Sequence, residues 1–130
     1  MKKRISLCGM LTIIISCFFL SSAAVAKPSN KWRLEFSGKA HSDGEIVIEL
    51  TSIGGQQYTV TVTIAGGTSE NKVAKMVTKT LKEQLPNEVF HVERDDGEDV
   101  LIKRRHGAAN FDVKIISNTV KHVRINPDRE

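Results

Sequence analysis

His91 and Glu93 stand two residues apart in a strand-like segment, so their side chains share one face, where an acid/base couple or two metal ligands could form. The same spacing suits an exposed ion-pairing couple. Either chemistry needs a further partner. His41, His106 and His122 show no tight ligand spacing with His91, and Asp95-Asp96-Gly97-Glu98-Asp99 lacks the alternating ligands and distant Glu of a calcium loop. The densest basic cluster is Lys103-Arg104-Arg105-His106, whose guanidinium groups could hold carboxylates or sulfated and phosphorylated polymers. No aromatic residues interleave with it, so it does not read as a nucleic-acid platform. Lys72, Lys75, Lys79 and Lys82 recur at steps of three and four, which gathers them on one side of a helix. They read as a surface for an acidic partner or as a solvated helix face.

The chain carries no Gly-x-Ser-x-Gly elbow, no His-Glu-x-x-His pattern and no Gly-rich phosphate loop ending in Lys-Ser/Thr. Both cysteines, Cys8 and Cys17, fall in the first 26 residues, so no thiol nucleophile remains beyond them. Neither an enzyme nor a cofactor is expected.

Residues 1–26 read as a secretory signal. Lys2, Lys3 and Arg4 form a cationic start, Ile5 to Leu20 an apolar run, and Ala24-Val25-Ala26 a small-x-small cleavage site. The apolar run is short for a membrane span. Ile14-Ile15-Ser16-Cys17 also resembles a lipobox, although Phe18-Phe19-Leu20 follows where a polar tether is usual. The working molecule is therefore expected to be Lys27 to Glu130, periplasmic or extracellular and free of cysteine. Removing Lys2, Lys3 and Arg4 from the 19 basic residues leaves 16 against 15 acidic ones, so the +4 of the whole chain becomes +1. Such a balance provides no global field for nucleic acid or anionic lipid, and a charged partner must be met by a local patch.

The elements that would position these groups follow from periodicity. Residues 27–31 read as a flexible lead-in. Trp32, Leu34 and Phe36, then Ile46, Ile48 and Leu50, then Tyr58, Val60, Val62 and Ile64 alternate with polar residues, as in half-buried strands. A three-residue loop Gly54-Gly55-Gln56 would pair Leu50 with Val60 and Ile46 with Ile64, and the first strand is expected beside the second. After Ala65-Gly66-Gly67 the period becomes helical, with Thr68 or Ser69 as N-cap, a stripe at Val73, Met76, Val77, Thr80, Leu81 and Gln84, and a stop at Pro86. Val89–Arg94 and Val100–Arg104 form a hairpin about the Asp-Gly turn. Its faces are read as Phe90, Val92 and Leu101 against Val89, Val100 and Ile102, the latter beside His91, Glu93 and Arg104. Phe111 to Ile115 and Val120 to Ile125 are the last extended segments, before a polar tail over 126–130.

The stretch from Asp43 to Gln84, a Thr-rich hairpin, Ala65-Gly66-Gly67-Thr68-Ser69 and an amphipathic helix, resembles a strand-turn-helix unit of phage tail proteins and flagellar hook-associated proteins. The resemblance implies extracellular assembly or attachment and brings no catalytic positions.

The expectation is one α+β domain over 32–125, an antiparallel sheet of about six strands with a single amphipathic helix on one face, in the order βββα then three strands. Its expected function is that of an exported inhibitor, immunity or adaptor-like binding protein. The partner surface is expected at His91, Glu93, Ile102, Lys103, Arg104 and Arg105, or on the basic helix face, and the partner is another protein or an anionic envelope or extracellular polymer. A structural or attachment subunit that self-associates is the alternative.

Overall fold

A computed structural model describes residues 27–130. The segment expected to be a secretory signal, with its expected cleavage site and the lipobox-like stretch at Cys17, lies outside the described residues. Seven strands and one helix follow in the order β1 (Lys31–Ser37), β2 (Gly44–Ser52), β3 (Gln57–Ile64), α1 (Glu70–Gln84), β4 (Phe90–Asp95), β5 (Asp99–Arg104), β6 (Phe111–Asn118) and β7 (Arg124–Arg129). The class is α+β with a single helix among the described residues. The single six-stranded sheet is replaced by two antiparallel sheets, β4-β5-β1-β7 and β3-β2-β6.

Alternation buries Trp32, Leu34 and Phe36 from one sheet and Ile46, Ile48, Leu50, Val60, Val62 and Ile64 from the other in one core. Each such side chain contributes roughly 1.5–3 kcal/mol when removed from water. Helix α1 packs against β3 and β4, the facing edges of the two sheets, and so closes one open side of the sandwich. Near the opposite side, Trp32 Nε1–H donates to the Phe111 carbonyl at 2.8 Å, and Ser29 bridges to Phe111. The lead-in is thus fixed at Ser29.

Strand β1 does not pair with β2. It lies between β5 and β7, with Leu34 opposite Val100 on one side and Pro127 on the other. The chain crosses between the sheets after β1, turning at Gly38, where φ is +90° and a Cβ would sit 2.0 Å from the His122 carbonyl oxygen. Only glycine fits there. The β2–β3 loop is Ile53-Gly54-Gly55, one position earlier than expected, closed by the Ser52 N–H on the Gln56 carbonyl at 2.8 Å. Moving the loop by one residue moves the register by two, so Leu50 faces Tyr58 and Ile46 faces Val62 while the faces are unchanged.

Ser69 occupies the N-cap position of α1 in extended conformation but makes no side-chain cap bond, and the helix ends at Leu85 before Pro86. Its buried residues are Val73, Ala74, Val77, Thr78 and Leu81, a face rotated from the expected stripe. Thr78 can be buried because its hydroxyl donates to the Ala74 carbonyl at 2.8 Å. The supposed polar tail belongs to β7, where Asn126 and Asp128 lie opposite Glu35 and Arg33. Pro127 is accommodated there because β7 is an edge strand.

Candidate functional site

The β4–β5 hairpin turns through Asp96-Gly97-Glu98, with Asp95 opposite Asp99, Val92 opposite Ile102 and Phe90 opposite Arg104. Directly opposed residues share a face. Phe90, Val92, Val100 and Ile102 therefore all point into the core, and Leu101 points out with His91, Glu93 and Lys103, reversing the expected grouping. The six residues expected as a partner surface are divided accordingly. Ile102 is fully buried. His91, Glu93 and Lys103 do come together on the outer face: Lys103 Nζ donates to Glu93 Oε1 at 2.5 Å, and His91 Nε2 lies 3.2 Å from Glu93 Oε2. Arg104 is turned to the inner face beside Phe90 and donates from Nη1 to the Ala108 carbonyl at 3.0 Å. Arg105 stands beyond the strand, exposed, its Nε–H on the Asn87 carbonyl at 3.0 Å.

Both carboxylate oxygens of Glu93 are thus engaged. Lys103 first and then His91 hold its carboxyl below the usual carboxylate range. That is the opposite of the upward tuning a general acid or base needs near neutrality. His91 and Glu93 form a hydrogen-bonded couple whose carboxylate is shared with Lys103. Among the described residues no three His, Cys, Asp or Glu side chains converge as a metal-binding group. His41 and His122 stack with ring centroids 3.8 Å apart, but no third ligand joins them.

The outer face of the β4-β5-β1-β7 sheet extends the same pattern. Arg33 Nη1 reaches Asp99 at 2.7 Å and Asp95 at 3.2 Å, and its Nε reaches Glu130 at 2.5 Å. Lys31 Nζ holds the other Glu130 oxygen at 2.8 Å. Lys31 first and Arg33 next lower the Glu130 carboxyl below its ordinary range, while Glu130 and then Asp99 hold the Arg33 guanidinium even more firmly protonated than usual. Leu101, opposite both Glu93 and Arg33, is buried within this grid. The aliphatic stem of Arg33 suits it for that cover. Lys31, Arg33 and Lys103 all have carboxylate partners here.

The other side of β4 differs. A groove of about 420 Å³ between α1 and β4 is lined by Lys75, Thr78, Lys79, Lys82, Glu83 and Arg94. Beyond it lies a cavity of about 290 Å³, bounded by Leu81, Lys82 and Leu85 of the helix end and by Phe90, His91, Val92 and Arg105. Lys82 borders both, so the two form one seam that follows α1 antiparallel to β4. From Lys75 to Leu85 the helix advances roughly 15 Å at 1.5 Å per residue. Lys79 has Glu83 at 4.0 Å, whereas Lys72, Lys75, Lys82 and Arg94 have no carboxylate partner within 4.0 Å among the described residues. Lys72 is exposed but does not line the seam.

The two basic regions read separately in the sequence therefore meet: Lys75, Lys79 and Lys82 from the helix and Arg105 from the hairpin's basic end border one cleft. Arg94 completes it and was not among the expected residues. Only the hairpin register reveals it, since that register places Arg94 on the helix side, opposite Val100. No family model matches the chain, and no curated protein matches it.

Proposed function

We propose that the protein is a small exported binding module, acting as an inhibitor, immunity or adaptor-like protein, which engages an anionic macromolecular partner along the α1/β4 seam. The observation that carries this reading is the contrast in pairing: Lys31, Arg33 and Lys103 of the outer sheet face are each bound to an internal carboxylate, while Lys75, Lys82 and Arg94 line a concave site with no carboxylate within 4.0 Å of them among the described residues, its one acid, Glu83, standing 4.0 Å from Lys79. Cations in a groove focus field toward an incoming anion, which a scattered solvated face does not. Binding rather than catalysis is proposed, because the one acid/base-like couple, His91 and Glu93, is tied into the paired grid.

The test is calorimetric titration with poly-L-glutamate and with a sulfated glycan. Binding is expected at low ionic strength and should weaken as the Debye length shrinks from about 10 Å at 0.1 M salt to about 3 Å at 1 M. The triple substitution Lys75→Gln, Lys82→Gln, Arg94→Gln should reduce affinity about tenfold, on the order of 0.5 kcal/mol per cation. Absence of binding to either polymer at low salt, or equal affinity in the variant, would overturn the reading.

A further inference from the structure

The seam carries an unpaired sheet edge as well as unpaired charge. Strand β4 is the terminal strand of its sheet. The Arg105 N–H donates to the Val89 carbonyl at 2.7 Å, which marks Val89 and Arg105 as a hydrogen-bonded pair. Antiparallel ladders alternate, so His91 and Glu93 also bond toward β5, and Phe90, Val92 and Arg94 turn their N–H and C=O groups to the free edge. The N–H groups of both Val89 and Phe90 are taken by the Pro86 carbonyl at 3.1 Å, so the free edge begins beyond Phe90. By that alternation the Val92 and Arg94 N–H groups point away from β5, and neither bonds to a turn or loop carbonyl among the described residues. Phe90 and Val92 face inward and His91 outward, yet all three line the same cavity. A cavity touched by both faces of one strand must wrap its edge. The edge is open to the seam.

We infer that the partner is an acidic peptide segment in extended conformation, which adds to the free edge of β4 as a further strand and directs alternate carboxylates at Lys75, Lys79, Lys82 and Arg94. This rests on the reading of the seam as the binding surface and specifies its occupant. Backbone pairing supplies a sequence-independent anchor, and alternate side chains supply the selection. Side chains on one face of a strand recur about every 6.8 Å, close to the roughly 6 Å between Lys75 and Lys79 along the helix axis. Lys82, about 10.5 Å from Lys75, falls about 3 Å short of the second step, a gap its flexible stem can span. Acidic residues at i, i+2 and i+4 would each find a cation, with Arg94 supplied from β4. Successive acidic residues would send half their charge to the other face, where Glu93 and Asp95 already stand. A polyanion without amide groups could use the cations but not the edge.

The experiment compares three probes on the intact protein: an acetylated, amidated peptide alternating Thr and Glu over seven residues, the same peptide N-methylated at alternate positions, and a sulfated glycan. Binding is read by titration, and the Val92 and Arg94 amides by NMR hydrogen exchange. The expected result is that the unmodified peptide binds, slows exchange at both amides, and binds about tenfold more tightly than its N-methylated form, the loss of roughly one to two net hydrogen bonds. Should both peptides bind equally and lose affinity alike in the Lys75→Gln, Lys82→Gln, Arg94→Gln variant, with exchange at Val92 and Arg94 unchanged, strand addition is wrong and the electrostatic seam stands. Tight binding of the glycan with none of the peptide would also overturn the peptide assignment alone. Failure of all three probes to bind would sink the seam itself. A Val92→Pro variant is a second arm: proline removes one edge N–H without touching charge, and thermal denaturation shows whether the fold survives. Undiminished peptide affinity in a folded Val92→Pro protein would contradict the inference.

Discussion

The two sides of β4 hold similar residue types under opposite conditions. On the outer sheet face, Lys31, Arg33 and Lys103 meet Glu130, Asp95, Asp99 and Glu93, so these three cations are already paired within the protein. Across the strand, Lys75, Lys82 and Arg94 line a groove with no carboxylate partner within 4.0 Å among the described residues. A count of Lys and Arg does not tell these regions apart. What separates them is whether the protein satisfies its own charges, and register decides that, because it sets which acid stands opposite which base.

The comparison can be broken most severely at the residue that belongs to neither surface. Ile102→Ala, made at a position the sequence marks as partner surface, should cost about 2–5 kcal/mol of stability as a core truncation. Its thermal midpoint should fall without any selective change in polyglutamate affinity. Next in size, the seam triple variant should lose about tenfold in affinity, about 1.4 kcal/mol, while its melting temperature stays close to that of the parent protein. Arg33→Ala should do the reverse. It uncovers Leu101 and leaves Asp95, Asp99 and Glu130 facing one another, for about 1 kcal/mol of stability. That is a drop of roughly 4–8 °C for a domain of this size, with polyglutamate affinity retained.

The smallest effect is that of acid. The Glu93 and Glu130 carboxyls sit below their ordinary range in the folded protein. Their contribution is therefore complete above the unfolded carboxyl pKa of about 4.3 and is lost as pH falls through the folded values. Melting temperatures recorded from neutral pH to about pH 2 should decline below about pH 4. Lys103→Gln should flatten the part of that decline due to Glu93.

Strands β1 to β3 and α1 are legible in the sequence because strict alternation and the Pro86 stop leave little choice. Their assembly is not. Beginning β2 soon after β1 suggests a hairpin, since sequential strands usually neighbour one another, but the turn at Gly38 sends the chain to a second sheet. The buried face of α1 differs from the stripe the sequence suggests because Ala74 and Thr78 are weakly apolar. Ala74 is small enough for close packing, and Thr78 satisfies its own hydroxyl. The hairpin faces are those a two-residue Asp96-Gly97 turn would give; the third loop residue, Glu98, inverts them and brings Ile102 into the core. The last strand lies later than the extended segment expected over Val120 to Ile125: Val120 to His122 form a bend and turn, and β7 runs Arg124–Arg129, because Asn126 and Asp128 look like a solvated tail until Glu35 and Arg33 are seen beside them. The lysine spacing on α1 was visible throughout, whereas Arg94 becomes part of the site only through tertiary packing.

The most direct measurement sets two triple variants of equal charge change side by side. One is Lys75→Gln, Lys82→Gln, Arg94→Gln, and the other is Lys31→Gln, Arg33→Gln, Lys103→Gln. Each lowers the net charge equally, and polyglutamate affinity is titrated at low salt with folding checked by thermal denaturation. The expected result is a loss of about tenfold for the seam variant and unchanged affinity for the grid variant. Equal losses in both would show that overall charge, and not the unpaired seam, draws the partner.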